Sequence, residues 1–413
     1  MPRNLSKEIN QYLSPEARDL VGKVTRAALN QGQRPYLVGG VVRDLMLGKP
    51  SLDLDFSTEG DALALAAALG EEIGQRVTKY TQFGTATLSL NGVQVDIATA
   101  RTETYSRPGA LPQVKPATLP EDLRRRDFTV NAMALDISPS GFGDLIDPLG
   151  GEKDLDGRLI RVMHEKSFAD DPTRIFRAIR YEQRLAFSIE QRTLEWLSRD
   201  RKFIVSLSGE RVRHEIELMF REERPEKSLQ RGEELGIWKL LDPALKGDDN
   251  LEAAFERLRT LDTKTPYPLS LLFSLFFFPI RKNEMEDLIE RLDMPKAVAT
   301  VLRDIVKLKG IEARLEVASK DRLAFYQTLS GFSPHAILVL AIYCQNYSLK
   351  EALFHYYDKL RLVRTALKGK DLLDMGFTAG PSVGRALQKL LEARITGEVK
   401  SRKDETEFVK KYL

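Results

Sequence analysis

The feature that most constrains this chain is a double glycine between an apolar run and an amphipathic run. Residues 36–38 are apolar, Gly39 and Gly40 follow, and residues 41–47 are amphipathic, which predicts a strand that turns into a helix. Backbone N–H groups at a helix N-terminus can hold phosphate, and glycine lets the phosphate come close. The sequence therefore predicts a phosphate cradle at the two glycines, with Arg43 three residues beyond Gly40.

Two aspartates, Asp53 and Asp55, follow this cradle along the chain. On a strand, residues i and i+2 face the same way, so both carboxylates would emerge from one face. Such a pair beside a phosphate cradle can hold Mg²⁺, which favours oxygen ligands and substrate phosphates. A diglycine alone is usually a turn, and Asp-x-Asp alone is usually a solvated strand end. Together with the nearby arginine, they predict a site for nucleotidyl transfer with Asp53 and Asp55 as metal ligands.

A third carboxylate, Asp96, is a further catalytic candidate. Asn91-Gly92 is a strong signal for a two-residue hairpin turn, and the strand that follows alternates, with its apolar side chains on one face and Asp96 on the other. That strand is expected to lie beside the strand of Asp53 and Asp55. A solvent-facing aspartate on a strand explains the same pattern, and both interpretations stay open at this stage.

Residues 102–121 are expected to form a long loop without regular structure. Prolines occur at every fourth position, which excludes a helix and disfavours the interior of a sheet; they are Pro108, Pro112, Pro116 and Pro120. Long loops of this kind in compact domains are usually functional or disordered. Three arginines follow at 124–126, and an arginine here could clamp a triphosphate.

A second polar cluster begins at Asp171, followed by Pro172 and a ridge of arginines at three- or four-residue intervals. The aspartate is predicted to cap a helix whose first turn contains the proline. Cytosine and adenine both present an amino donor beside a ring-nitrogen acceptor, so Asp171 could accept from the amino group while Arg174 donates to the ring nitrogen. Guanine and uracil present the opposite polarity and would leave buried polar groups unpaired, which costs roughly 1–3 kcal/mol each. Arg177 and Arg180 would then serve phosphates and helix packing, although such a ridge is often just a solvated helix face.

The composition fits a cytoplasmic protein with no membrane segment. Hydrophobic residues make up 42% and charged residues 30% of the 413 residues, and the net charge of +3 permits nucleic-acid binding without requiring it. The single cysteine, Cys344, excludes an intramolecular disulfide and suits a reducing compartment. The N-terminus carries no apolar signal region, and the apolar stretch 268–280 is too short to span a bilayer, so we expect a buried helix there.

Five sequence blocks, in this order, make the chain resemble the class II tRNA nucleotidyltransferases: the CCA-adding enzymes and their A-adding, CC-adding and poly(A) polymerase relatives. The blocks lie at 37–44 with 53–55, 125–132, 147–155, 170–180 and 209–216, and residues 369–373 and 376–384 look similar as well. The fourth block departs in one position, since Asp170 stands where the family commonly has glutamate. The pair Asp171 and Arg174 of that block is intact.

The resemblance implies an α+β fold with a polymerase-β-like head followed by an elongated all-helical neck, body and tail. We expect the head at 1–155, the neck at 156–250, the body at 251–365 and the tail at 366–413. Mg²⁺ would be bound by Asp53 and Asp55. Gly40, Arg43 and Arg126 would contact the phosphates or sugar of the nucleotide. The base would be read by Asp171 and Arg174, supported by Arg177 and Arg180.

The predicted function is template-independent addition of CCA, or of its terminal A, to the 3′ end of tRNA, with ATP and CTP as the nucleotides. A CC-only enzyme is disfavoured because residues 102–121 are not shortened. A poly(A) polymerase is the nearest alternative, though the chain lacks the long basic C-terminal extension of that branch. An inactive tRNA-binding protein on the same scaffold is disfavoured by the intact Asp53 and Asp55. A small-molecule nucleotidyltransferase is disfavoured by the long helical second half.

The C-terminal half is expected to grip the tRNA. Five cations cluster shortly before a segment of turn-then-helix form at 380–384; they are Lys359, Arg361, Arg364, Lys368 and Lys370. Phosphate contacts usually come from such basic patches and from helix N-termini. A solvated helix face followed by an ordinary turn accounts for the same residues equally well.

Overall fold

The structure is a computed structural model that describes residues 3–51, 53–80, 83–90, 92–261 and 266–411. The chain divides into two compact units, residues 1–215 and 216–413. The first unit mixes strands and helices, and the described part of the second unit is helical. The predicted α+β class is therefore confirmed, whereas the division into head, neck, body and tail stays a prediction.

A mixed sheet forms the centre of the first unit. In the described part of the chain it has seven strands in the order β3-β4-β5-β2-β1-β8-β9. The strands are β1 (Pro35–Val38), β2 (Asp53–Thr58), β3 (Thr78–Tyr80), β4 (Thr85–Leu90), β5 (Val93–Thr99), β8 (Ala134–Asp136) and β9 (Leu145–Ile146). Strand β1 is buried along its whole length, as its apolar sequence requires.

The register of this sheet places the acidic residues together. Strand β2 runs parallel to β5, and Asp55 is paired in register with Asp96. Since paired residues of neighbouring strands face the same way, the third carboxylate lies beside the other two, as predicted. The hairpin strands β4 and β5 also form as expected, although Asn91 of their predicted turn lies outside the described residues.

Helices of the first unit pack on the sheet and also follow its last strand in sequence. They are α1 (Ser6–Tyr12), α2 (Pro15–Asn30), α3 (Gly40–Met46), α4 (Ala62–Ile73), α5 (Leu119–Arg124), α6 (Gly151–Asp156), α7 (Ser167–Asp170), α8 (Thr173–Leu185), α9 (Gln191–Asp200) and α10 (Gly209–Phe220). Helix α3 follows β1 directly through Gly39, as the double glycine predicts. The boundary between the two units falls within α10.

The expectation of a structureless segment at 102–121 is wrong. Strands β6 (Arg101–Thr104) and β7 (Gln113–Pro116) form a separate two-stranded sheet, and α5 begins at Leu119. An isolated pair of strands has free edges, so a proline that cannot donate is tolerated there. Helix α5 accepts Pro120 in its first turn, and Thr118 and Glu121 form a capping box. The regular spacing of the prolines is incompatible with a long helix or strand but compatible with the short elements β6, β7 and α5.

A second correction concerns the region after residue 155, where no strand was expected. Strands β10 (Leu159–Ile160) and β11 (Ser188–Ile189) pair in parallel. Each has only two residues, which is too short for an alternation of polar and apolar side chains to be recognisable in the sequence.

The described part of the second unit consists of helices. They are α11 (Pro225–Glu234), α12 (Asp249–Leu261), α13 (Leu269–Phe276), α14 (Lys282–Arg291), α15 (Lys296–Gly310), α16 (Glu312–Ala318), α17 (Arg322–Leu329), α18 (Pro334–Tyr343), α19 (Tyr347–Asp358), α20 (Gly369–Asp374), α21 (Pro381–Thr396) and α22 (Arg402–Lys410), with short 3₁₀ turns between some of them. The apolar stretch 268–280 contains the buried helix α13, as predicted, and α13 packs against α15 and α18. A separate hydrophobic cluster joins α20, α21 and α22.

Within the described residues, the structure has no helix long and apolar enough to cross a lipid bilayer. Cys344 is a free, buried thiol.

Candidate active site

Most of the predicted site residues line one cleft of about 460 Å³ in the first unit. They come from β2, the start of α3, the segment after α5 and the first half of α8 with the residues just before it, which are widely separated in sequence. The predicted residues that line the cleft are Gly39, Gly40, Arg43, Asp53, Asp55, Arg126, Asp171, Arg174 and Arg177. The two remaining predicted residues, Asp96 and Arg180, are not among the lining residues.

The turn between β1 and α3 requires glycine at position 39. Gly39 has a φ of +78°, and a Cβ placed there would lie 2.8 Å from Arg126 Nη1 and 3.4 Å from Asp55 Oδ2. An L side chain would therefore be strained and would collide with the guanidinium. The absence of a side chain at Gly39 lets an arginine and a carboxylate of the site approach the backbone where the helix begins.

The acidic corner of the cleft carries negative charge that its neighbours only partly balance. Burial, together with the charges of Asp96 and Asp53, raises the pKa of Asp55 to about 6, although Arg126 and Arg177 oppose the rise. Asp53, on the same face of β2, is exposed. A carboxylate held in this way is stabilised by a cation, so the pair is suited to hold a divalent metal ion.

The carboxylate pair cannot enclose a metal by itself. Among the described residues there is no group of three or more His, Cys, Asp or Glu side chains arranged to hold a metal. Metal ions of the Mg²⁺ type are commonly bound through one or two carboxylates, with the remaining ligands supplied by substrate phosphates and water. The donor set of Asp53 and Asp55 fits that mode of binding.

Asp96 lies opposite Asp55 but is engaged by its own neighbours. Its Oδ1 accepts a hydrogen bond from Thr87 Oγ1, and its Oδ2 accepts one from Gln94 Nε2 at 2.9 Å. Its described effect on the site is electrostatic, since its charge raises the pKa of Asp55. A direct catalytic role for Asp96 stays a prediction.

Arginines form another part of the cleft wall, and their partners hold them in place. Arg43 is buried and donates to Asn131 Oδ1 at 2.5 Å while forming an ion pair with Asp44 at 2.8 Å. Arg126 donates to Asp122 Oδ2 at 3.1 Å, and its buried Nε has no hydrogen-bond partner among the described residues. A guanidinium with an unused buried donor, facing a cleft, is suited to an anionic ligand.

A partly buried ion pair joins the segment after α5 to helix α8. Arg177 donates to Asp127 Oδ2 through Nε at 2.9 Å and through Nη2 at 2.5 Å. Burial alone would raise the pKa of Asp127, but Arg177, Asn131 and the Phe128 N–H together lower it to about 2. The carboxylate therefore stays ionised across the physiological pH range.

The two residues predicted to read the base face the same cleft without pairing to each other. Asp171 Oδ1 accepts from Thr173 N at 3.1 Å and Thr173 Oγ1 at 2.8 Å, and from Arg211 Nη2 at 2.7 Å. Arg174 donates to the carbonyls of Ser167 at 3.3 Å and Arg125 at 2.7 Å. Helix α8 begins at Thr173 with Pro172 at its N-cap, so the prediction that Asp171 caps the helix and that Pro172 lies in its first turn is wrong by one residue, although Asp171 still accepts from the first helical N–H. Asp171 and Arg174 are each oriented by partners of their own.

Tyr181 gathers three of the arginines. The guanidinium carbons of Arg43, Arg177 and Arg180 lie 5.3, 5.6 and 5.3 Å from the centre of its ring. An aromatic face attracts cations, so the ring helps to hold three positive groups close together. Arg180 is buried and supports this cluster from outside the cleft wall, in keeping with its predicted packing role.

Sequence reasoning missed several residues of the site. Tyr105, Tyr181 and Glu215 line the cleft, and Arg211 holds Asp171. Burial raises the pKa of the Glu215 carboxyl, against the influence of Arg177 and Arg180. The spacing of Arg211 and Glu215, four residues apart on α10, places both on one helix face, but it does not show which part of the fold that face meets.

Comparison with known proteins defines the class to which this fold and cleft belong. The profile of the poly A polymerase head domain matches residues 35–161, and that of a probable RNA and SrmB-binding site of polymerase A matches residues 186–248. The first match covers the sheet, the double glycine and the acidic strand. The chain therefore has a nucleotidyltransferase head followed by an RNA-binding segment of the poly(A) polymerase type.

Individual relatives narrow the class. An A-adding tRNA nucleotidyltransferase of Geobacter sulfurreducens is 34% identical over 90% of this chain, which spans only 44% of that relative's length. An A-adding tRNA nucleotidyltransferase of Halalkalibacterium halodurans is 29% identical, with 99% of this chain and 96% of the relative covered. A CCA-adding enzyme solved in an apo form is 31% identical, with a TM-score of 0.80 over 100% of this chain and 99% of that one.

The chain belongs to the family of tRNA nucleotidyltransferases and poly(A) polymerases. The predicted family and enzyme class are thereby confirmed, and members of the family generally use a divalent metal ion. CCA-adding enzymes of the same fold have also been solved in complex with ATP, with CTP and with tRNA, and they match this chain with TM-scores of 0.79, 0.78 and 0.77.

The raised pKa of Asp55 predicts how the protein responds to pH and to cations. In the folded state Asp55 keeps its proton up to about pH 6, instead of 3.8, so ionising it at higher pH disfavours folding. At 1.36 kcal/mol per pH unit, Asp55→Asn should stabilise the metal-free protein at pH 7.5 by up to about 3 kcal/mol. That gain should shrink as the pH falls from 6 to 4.

Thermal unfolding with and without MgCl₂ tests this prediction. Mg²⁺ should raise the Tm of the wild type at pH 7.5 and change that of Asp55→Asn far less. Asp156→Asn, which removes an exposed carboxylate, serves as the matched control and should behave like the wild type. An equal Mg²⁺ response in all three proteins would contradict the metal assignment.

Proposed function

We propose that this protein adds the terminal A, alone or as part of CCA, to the 3′ end of tRNA. One observation carries the proposal: the carboxylate pair, the glycine turn with its arginines, and the base-reading pair all open into one cleft. These are the groups that transfer of a nucleotide without a nucleic-acid template requires, because side chains must then select the base.

The arginine wall explains how a triphosphate would be held. Arg43 and Arg126 lie on the side of Gly39 and Gly40, where the backbone N–H groups at the start of α3 are available. Bidentate guanidinium groups suit phosphate oxygens better than single ammonium groups do. The cleft is thus positive where the phosphates would bind and negative at Asp53 and Asp55.

We infer that Mg²⁺ is the metal held by Asp53 and Asp55. A divalent cation bound there supplies Lewis-acid activation of the tRNA 3′-hydroxyl and charge neutralisation for the leaving pyrophosphate. The protein side chains position the reacting groups. Asp55 is held by its strand, and Arg126 beside it stabilises negative charge that develops on the phosphates.

Base selection is assigned to the second oxygen of Asp171 and to Arg174. The hydrogen bonds that the Asp171 carboxylate accepts from the described residues all end on Oδ1, so Oδ2 can accept from the amino group of adenine or cytosine. The Arg174 guanidinium is oriented by the backbone carbonyls of Ser167 and Arg125, which accept its hydrogen bonds. Guanine or uracil would place an acceptor against the Asp171 carboxylate and a donor against Arg174, so neither contact could form a hydrogen bond.

Addition of A has the stronger support of the two specificities. The two relatives from Geobacter and Halalkalibacterium are both A-adding enzymes, and the segment 101–116, which forms a complete hairpin, does not have the shortened loop expected of CC-only enzymes. CTP use and the CCA specificity are the alternative, since CCA-adding enzymes share the fold over the whole chain.

Sequencing of reaction products separates these activities. Purified protein is incubated with tRNA that lacks the 3′ terminus, or that ends in C or CC, with ATP and CTP singly and together. We expect A on the tRNA ending in CC with ATP alone, and no product longer than the completed CCA. CC on the truncated tRNA would establish CCA addition, long A tails would indicate a poly(A) polymerase, and no incorporation at all would refute the proposal.

Single substitutions test the base-reading pair. Asp171→Ala and Arg174→Ala should each lower kcat/KM for ATP by more than tenfold and relax discrimination against GTP and UTP, because each leaves one edge of the base unread. The matched control is Arg192→Ala, an exposed arginine of α9 outside the cleft. Unchanged ratios of kcat/KM over the four nucleotides in both variants would sink the assignment.

We further propose that the end of the chain grips the tRNA. Four of the five predicted cations are exposed, and Arg361 is partly exposed and stacked on the ring of Tyr357 at 4.3 Å. Beyond them α21 begins at Pro381 after Gly380, and a Cβ placed on Gly380 or Gly384 would have no atom of the described residues within 4 Å. Glycine on an open helix face suits close approach of a phosphate backbone.

Salt dependence tests this grip. Neutralising the five cations should weaken tRNA binding and flatten the slope of log Kd against log salt by several units, because each lost phosphate contact removes about 0.7–0.9 from the slope. ATP binding should change little. The matched control neutralises five exposed cations elsewhere in the second unit, namely Lys282, Lys296, Arg314, Lys320 and Arg322. A wild-type slope in the test protein would place the contact surface elsewhere.

The finer organisation follows the same proposal. We infer a catalytic head at 1–155, a base-recognition neck at 156–250, a body at 251–365 and a tRNA-binding tail at 366–413. A cytoplasmic location stays our prediction, and cell fractionation would measure it.

A further inference from the structure

Arg211 contacts two different parts of the first unit with one guanidinium. Its Nη2 donates to Asp171 Oδ1 at 2.7 Å, and its Nη1 donates to the Gly109 carbonyl at 3.1 Å. Asp171 belongs to the base-reading pair, and Gly109 lies at the tip of the hairpin between β6 and β7. A single planar side chain therefore joins the hairpin tip to the carboxylate that faces the base.

The hairpin tip is built to dock where it does. Ala110 N donates to the Arg107 carbonyl at 3.1 Å, which closes a tight turn containing Pro108 and Gly109. Gly109 has a φ of +77°, and a Cβ placed on it would lie 2.6 Å from Ser206 Oγ and 2.7 Å from the Ser206 carbonyl oxygen. Glycine is thus needed both for the turn and for its close approach to the segment that precedes α10.

The base of the same hairpin reaches the other reading residue. Glu103 on β6 forms an ion pair with Arg125 at 2.9 Å. The Arg125 carbonyl in turn accepts from Arg174 Nη2 at 2.7 Å. Tyr105, which donates to Glu103 at 2.8 Å, lines the cleft beside them. Both halves of the reading pair are therefore connected to one short hairpin, by different routes.

We propose that Arg211 is a positioning residue that sets base selectivity by coupling the hairpin to Asp171. By saturating Oδ1, together with Thr173, it fixes the carboxylate so that Oδ2 faces the base. Because the guanidinium is planar and its donors are fixed relative to one another, a shift of Gly109 is transmitted to Asp171. This inference rests on the proposed function, since it assumes that Asp171 reads the base.

Three substitutions separate the two contacts. Arg211→Gln removes the charge and cannot hold both partners. Arg211→Lys keeps the charge but replaces two donor nitrogens at a fixed separation with one nitrogen on a flexible stem, so the rigid link between Asp171 and Gly109 is lost. Gly109→Ala disrupts the docking at Ser206 and leaves the Arg211 side chain in place. Arg192→Gln, at an exposed arginine of α9, is the matched control.

Kinetics on tRNA ending in CC give the first readout. Arg211→Gln should lower the ratio of kcat/KM for ATP over GTP by at least tenfold, and Gly109→Ala should lower it by a smaller factor. The double variant should lose no more selectivity than Arg211→Gln alone, because both changes break one connection. Arg211→Lys should recover part of the loss. Multiplicative effects of the two single changes would overturn the coupling.

Hydrogen exchange gives a second readout that does not depend on activity. Amides of residues 105–112 should exchange faster in Arg211→Gln and Arg211→Lys than in the wild type or Arg192→Gln, while the sheet strands exchange as before. Wild-type protection in both Arg211 variants would overturn the proposal. If Arg211→Gln fails to fold, Arg211→Lys and Gly109→Ala still decide it. If the wild type adds no nucleotide, the proposed function fails, yet exchange still tests the connection.

Discussion

The ion pair between Asp127 and Arg177 is the interaction on which the rest of the site depends. Asp127 also accepts from Asn131 Nδ2 at 3.0 Å, and Asn131 accepts from Arg43 at 2.5 Å. One connected polar network thus runs from the start of α3, through the segment after α5, to helix α8. Asp127 is buried whereas the Arg177 side chain is 32% exposed, so loss of Arg177 would leave the buried carboxylate without its main compensating charge. This network fixes the position of α8, and with it that of the proposed base-reading residues, relative to the start of α3.

The site also contrasts two ways of treating a buried carboxylate. Asp127 is fully compensated, and its pKa falls to about 2; Asp55 is partly compensated, and its pKa rises to about 6. Both lie near arginines, but Asp127 receives a two-pronged hydrogen bond from one of them whereas Asp55 shares its surroundings with two other carboxylates. The structural carboxylate is paired within the protein, and the carboxylate that faces the cleft is left short of positive charge.

Much of the fold and site was predictable from local sequence signals. The turn at the double glycine, the Asp-x-Asp strand and the neighbouring strand of Asp96 follow from turn and pleat rules, and the start of a helix near Asp171 follows from the Asp-Pro signal, although the cap itself is one residue later. The hairpin at 101–116 was not predictable in this way, because its stability depends on pairing between short strands and on docking of Gly109 against Ser206. Arg211 and Glu215 escaped for a related reason: on α10 their spacing is that of any amphipathic helix, and only tertiary packing shows that this face meets Asp171 and the arginines.

The three hydrogen bonds on one oxygen of Asp171 have a consequence for accuracy over time and temperature. If this carboxylate takes the place of a template, then base specificity depends on the side-chain conformation of Asp171 and not on a sequence of bases. A nucleic-acid template still specifies the same bases after it has been melted and copied again. The Asp171 side-chain conformation specifies a base only while Thr173 and Arg211 hold it. Errors should therefore rise with heat well before the sheet unfolds, at the temperature where the loosest of those contacts begins to open.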